Sequence, residues 1–181
     1  MKKIQKFTPL HLQELDDAVF IAEELVNDYY KISSSHWLKN RYDIKTYKDL
    51  APSERVEGPF AQVVGYVARK KDASLGSLSF NYYIICLQDN TILASLEKNR
   101  DLLFFPFLIY VLVHELVHIV RFSKFQQIYA ASCEAEIVVQ EEKKVHDLTW
   151  EILSSVSVSG MKMVLEHYRK WRENLNFDKV F

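Results

Sequence analysis

The chain has 181 residues, 49% of them hydrophobic and 26% charged, with a formal net charge of −1. That length suits one compact domain with a substantial core and is short for two, and the near-neutral charge gives no ground for nucleic-acid binding. Cys86 and Cys133 are too few for a disulfide framework and are not spaced like a zinc ribbon, so both are expected to be buried thiols of a reducing compartment.

Residues 1–9 are basic but lack the apolar stretch of a signal peptide, so a cytoplasmic location is expected. Thr8-Pro9 is a helix start, a capping hydroxyl followed by proline at the first helical position. Leu12, Leu15, Val19, Ala22, Val26 and Tyr29 then recur at helical spacing, with the stop near residues 33–35. Residues 36–59 are mixed and polar, broken by Pro52 and Gly58-Pro59, and are expected to be a loop with one helical turn.

Residues 61–70 and 77–87 are rich in β-branched and aromatic side chains and predict a hairpin turning at 71–76. In the second strand Leu78, Phe80, Tyr82, Ile84 and Cys86 share one face, so both faces are expected to be at least half covered. This strand is either the sheet edge that accepts an extended peptide or a central strand. Asp89-Asn90 caps a short helix to about Lys98. The next helix starts at Asp101 or just before Pro106 and runs to about Phe122. A helix over 133–155, with Val138, Val145, Thr149 and Ile152 inward, and another over 159–171 complete an α+β domain. Its helices lie on one side of a small antiparallel sheet.

The apolar stretch at 102–120 is nearly long enough to span a bilayer, but it carries Pro106, His114, Glu115 and His118. A buried core helix with no membrane role is the expectation. Within it, His114-Glu115-Leu116-Val117-His118 is the most informative feature of the chain. Two histidines four apart project from one helical face and suit two ligands of one tetrahedral zinc ion. Glu115 stands about 100° round, placed to reach a metal-bound water. This pattern is a signature of zinc peptidases. An unpartnered carboxylate and two imidazoles in an apolar core would cost several kcal/mol, a burden that a zinc ion and its water would relieve together.

A catalytic zinc needs a third protein ligand. No histidine stands six residues after His118, where Lys124 falls, so a glutamate from a following helix remains, with Glu134, Glu136, Glu141 and Glu142 at workable distances. With Val145, His146, Thr149, Ile152 and Leu153 as the buried face, Glu142 lies about 20° from its centre and Glu141 about 80° off, while Glu136 points nearly opposite. Glu142 is the first choice and Glu141 the reserve. His146, Tyr129 and Arg121 are candidate donors to a developing oxyanion, and His146 is equally suited to orienting a ligand. His11, His36 and His167 have no partner at ligand spacing.

His114-Glu115-Leu116-Val117-His118-Ile119-Val120-Arg121-Phe122, followed by Glu141-Glu142 and by Val145-His146-Asp147-Leu148-Thr149, resembles the minigluzincins. These are small prokaryotic gluzincin-like zinc metallopeptidases built from a short sheet, an active-site helix and a glutamate-bearing helix. The resemblance spans about residues 60–155 and implies a zincin-like core, one zinc ion, a glutamate third ligand and a peptide or protein substrate. It also implies that a terminal segment can hold the enzyme latent in its own cleft. The 59 residues before that core form an N-terminal helical extension, and residues 156–181 a C-terminal helix and tail, within a single domain. A non-catalytic zinc-binding regulatory or interaction domain, and a metal-free interaction domain, are the competing functions.

Overall fold

The computed structural model describes residues 4–33, 35–69, 79–124 and 135–173. Thr8 caps helix α1 (Pro9–Tyr30) as expected. Its Oγ1 accepts from the His11 amide at 3.3 Å, and His11 Nδ1 accepts from the Thr8 amide at 3.2 Å, so two donors at the helix start are satisfied reciprocally. Leu15, Ala18, Ala22 and Val26 form its buried stripe, whereas Leu12 is 40% exposed.

Residues 36–59 correct the expectation of a loop. They contain most of helix α2 (Ser35–Lys39), strand β1 (Asn40–Lys45) and a single 3-10 turn (Pro52–Glu54). Tyr42 and Ile44 alternate with charged neighbours, a pattern too short to stand out from a polar segment, and the strand is completed by pairing with a distant partner.

Strands β2 (Ala61–Arg69) and β3 (Ser79–Leu87) pair antiparallel, as the hairpin pattern predicts; the expected turn lies outside the described residues. β1 pairs with β3 in parallel, so the sheet is mixed rather than antiparallel, in the order β1-β3-β2. β3 is therefore the central strand, and the edge role considered for it is overturned; β1 and β2 are the edges. Ile85 and Leu87 join the main core, while Ile84 and Cys86 meet Leu50 on the other face, so both faces of β3 are covered.

Helix α3 (Asp89–Lys98) begins one residue earlier than a cap at Asp89 would require, with Gln88 in the capping position. The Asp89 carboxylate, 1% exposed, instead accepts hydrogen bonds from the amides of Tyr47 at 2.9 Å and Phe7 at 2.8 Å. It fastens the N-terminal segment and the chain after β1 to the start of α3.

Helix α4 (Phe104–Lys124) resolves the start left open by the sequence. Pro106 sits in its first turn, where a missing N–H loses no helical bond. Around α4 pack α1, β2, β3, α5 (Ala135–Ser154) and α6 (Met161–Glu173). Among the described residues α4 is the one helix long and apolar enough to cross a membrane, and most of it is buried in the fold. An apolar circumference of this kind is what a central core helix requires. On α5 the buried residues are Val139, Val145, Leu148, Thr149, Ile152 and Leu153; Val138, expected inward, is only partly buried. Gly160 precedes α6 at φ +86°, and a Cβ there would stand 3.0 Å from Leu103 Cδ1 and 3.1 Å from Pro106 Cγ. Among the described residues, six helices and a three-stranded mixed sheet make an α+β domain.

Candidate metal centre

Helices α4 and α5 run antiparallel and meet through a ladder of polar rungs in an otherwise apolar interface. Tyr110 Oη lies 3.2 Å from His146 Nδ1. The rings of His114 and His146 are 4.5 Å apart. Glu142 reaches both histidines of the pentad, Oε1 at 3.1 Å from His118 Nε2 and Oε2 at 3.5 Å from His114 Nε2. The two Nε2 atoms are 3.2 Å from each other. One turn on, Arg121 grips Glu141 through Nε at 2.5 Å and Nη2 at 2.7 Å.

The helical period explains the arrangement. His114, His118 and Arg121 recur at spacings of four and three, and so share one face of α4. Glu142 and His146 are four apart on α5. Glu141, about 100° from Glu142, falls on the flank where Arg121 arrives. Of the glutamates weighed from the sequence, Glu142 meets the imidazoles and Glu141 turns to Arg121. Glu136 lies about 1.7 turns before Glu142, and Glu134 falls outside the described residues, as do Tyr129 and Cys133. Arg121, considered as an oxyanion donor, is engaged by Glu141 instead. His11 stacks against Phe104, His36 contacts Asn40 and Ser123, and His167 lies edge-on to Tyr168.

Two imidazole nitrogens and a carboxylate turned on one point can share protons in hydrogen bonds, and with those protons displaced they present three lone-pair donors to a cation. Ligand atoms of a four-coordinate ion with bonds of about 2.0–2.1 Å stand about 3.3–3.4 Å apart. The two Nε2 atoms at 3.2 Å, His118 Nε2 to Glu142 Oε1 at 3.1 Å and His114 Nε2 to the other oxygen, Oε2, at 3.5 Å all lie near that edge, so the three side chains converge on one place where an ion could be held. His146 forms a looser set with His114 and Glu142, whose donor atoms lie within 4.8 Å of one another. The Nδ1 atoms of His114 and His118 are buried and have no hydrogen-bond partner among the described residues.

Charge follows the same geometry. Burial pushes the Glu142 carboxyl up, but the contacts with His114 and His118 outweigh it and hold the group well below the usual carboxylate range. Burial lowers the His118 imidazole, and Glu142 more than reverses that, so it is raised. Glu115 is 6% exposed, and its burial raises it despite the two nearby histidines. His146, desolvated and beside His114, is lowered to about 3 and is neutral.

Glu115, His114 and His146 line a cavity of about 90 Å³. Its remaining wall is mostly apolar and aromatic, from the Gly58-Pro59-Phe60 segment, Tyr110 and Tyr168. Tyr168 stacks on Phe107 and Tyr110, with ring centroids 5.5 and 5.0 Å apart, and Phe60 packs edge-on to Phe107, so this wall is braced. Sequence reasoning missed Tyr110, Phe60 and Tyr168. Tyr110 had a readable signal, a hydroxyl one turn before His114 on the same face; the other two are carried in from remote elements.

No family model, curated protein or solved structure matches this chain.

Proposed function

We propose that this chain is a zinc-dependent metallopeptidase of the gluzincin type, or a latent precursor of one, with a zincin-like core resembling the minigluzincins. The observation that carries the reading is the Glu142 carboxylate bridging both pentad imidazoles, at 3.1 and 3.5 Å. His114, His118 and Glu142 would hold the ion. When bound, zinc lowers the pKa of water and polarises a peptide carbonyl.

Glu115 is the general base: it takes the proton of the attacking water and delivers it to the leaving nitrogen. Its desolvation suits it to the first step, since a carboxylate whose pKa is raised is a stronger base. Neutral His146, with Nδ1 engaged by Tyr110, keeps Nε2 to donate to the developing oxyanion. The substrate is an extended peptide laid along the outer edge of β2. The Gln88 amide donates to Phe60 O at 2.8 Å, so in this antiparallel ladder the even-numbered residues of β2 bond to β3. The peptide groups of Val63 and Gly65, neither residue buried, then point away from β3, toward the side on which a strand could add. A side chain next to the scissile bond enters the aromatic cavity, whose 90 Å³ is well below the ~150 Å³ that holds a benzene ring.

The nearness of His146 to His114 and Glu142 favours one second reading. If His146 becomes a fourth ligand, the site is closed and the protein is a non-catalytic zinc-binding regulator. Zinc stoichiometry and peptide hydrolysis by wild type and Glu115→Gln separate the two. A peptidase loses about 10²–10⁴ of its rate in the variant while keeping its zinc. Wild type that binds zinc and cleaves no peptide is either latent or closed, and zinc affinity in His146→Ala then decides, unmoved for a latent peptidase and sharply lowered for the closed site; wild type that takes up no zinc refutes both.

A further inference from the structure

We infer that Arg121 and Glu141 are a positioning pair that sets the rotational phase of α5, so that Glu142 rather than its neighbour meets the imidazoles. This rests on the ligand assignment above. Adjacent glutamates differ by about 100° on a helix, and a modest roll of α5 would exchange one for the other. The hydrophobic stripe resists that roll weakly near the site. On α5 the fully buried side chains, Val145, Thr149 and Leu153, all follow Glu142, and on the N-terminal side only Val139 is buried among the residues whose exposure is described.

The fork acts where the stripe is thin. Arg121 stands three residues after His118, on the face of α4 that carries both histidines. Its guanidinium takes both oxygens of Glu141, at 2.5 and 2.7 Å, and the two side chains are 17% and 19% exposed. Two parallel bonds to one planar group fix direction as well as distance, which a single point charge cannot do. The segment joining α4 to α5 spans residues 125–134, so this cross-link is a constraint close to the start of the glutamate-bearing helix. Rolling Glu141 toward the histidines would break both bonds of the fork to the Arg121 guanidinium. Residues that orient ligands in this way are worth about 10–100-fold in metal affinity.

The test is zinc affinity by chelator competition, with cobalt(II) absorption as a report on ligand geometry. Wild type, Arg121→Lys, Arg121→Met and Glu141→Gln are compared, each verified as folded by circular dichroism. Arg121→Met and Glu141→Gln should each bind zinc about 10–100-fold more weakly. Arg121→Lys should also lose affinity and alter the cobalt spectrum, because an ammonium keeps the charge but not the fork. Arg121→Lys matching wild type in both readouts would overturn the inference. So would Glu141→Gln lowering the melting temperature of the metal-free protein with its zinc affinity unmoved, since that is a stabilising role only. Glu141→Gln decides the matter if the Arg121 variants fail to fold. A wild type that binds no zinc would instead remove the ligand assignment, and the pair's role with it.

Discussion

Glu142→Ala should weaken zinc binding by about two to three orders of magnitude. A four-ligand zinc site is worth about 10–16 kcal/mol, so one protein ligand carries about 3–4 kcal/mol, or roughly 10²–10³ in affinity. Two features of the site adjust that figure. Glu142 meets both imidazoles, so its removal also frees their orientation and pushes the loss upward. Against this, Glu142 raises the His118 imidazole in the metal-free protein, and zinc must displace any proton held there. Without Glu142 that competition weakens and part of the affinity returns. Glu142→Gln keeps one weak oxygen donor and should fall between wild type and Ala. The assay is competition against a chromophoric chelator at neutral pH, with Glu141→Ala as the comparison. Equal affinity in wild type and Glu142→Ala, or a greater loss in Glu141→Ala than in Glu142→Ala, would refute the ligand assignment.

Asp89 should make stability depend on pH. Burial raises its pKa above the usual 3.8 despite hydrogen bonds from the amides of Phe7 and Tyr47. Between 3.8 and the raised value the folded state holds more protons than the unfolded one, so this group's contribution falls as pH rises through that window. The melting temperature of wild type relative to Asp89→Asn should therefore decline from below pH 3.8 toward neutrality, and a rise would contradict the sign. Gly160→Ala should destabilise the fold by about 1–3 kcal/mol, through positive φ and crowding of Leu103 and Pro106, and thermal unfolding should register a fall of about 2–12 °C. Tyr168→Leu should enlarge the cavity beside Glu115. In a peptide panel, cleavage next to phenylalanine relative to valine should gain about tenfold or more in kcat/KM, and an unchanged ratio would place the side-chain pocket elsewhere.

The local chemistry was legible along the chain because it repeats at the helical period. Two histidines four apart in an apolar run are expected on one helical face, and the structure brings their Nε2 atoms to 3.2 Å from each other. Thr8-Pro9 announces the start of α1, and the β-branched and aromatic runs at 61–70 and 77–87 announce a hairpin. Ranking Glu142 ahead of Glu141 also came from periodicity, since the apolar side chains after them mark which face turns inward. What the sequence could not carry depends on partners remote along the chain. β1 is a short polar segment that becomes a strand by pairing with residues some forty positions later, which turned an expected antiparallel sheet into a mixed one and made β3 its central strand. The Arg121–Glu141 fork and the walls brought by Phe60 and Tyr168 likewise arise where separate elements cross. Periodicity fixes the direction of a side chain about its own helix or strand. Only packing decides what stands opposite it.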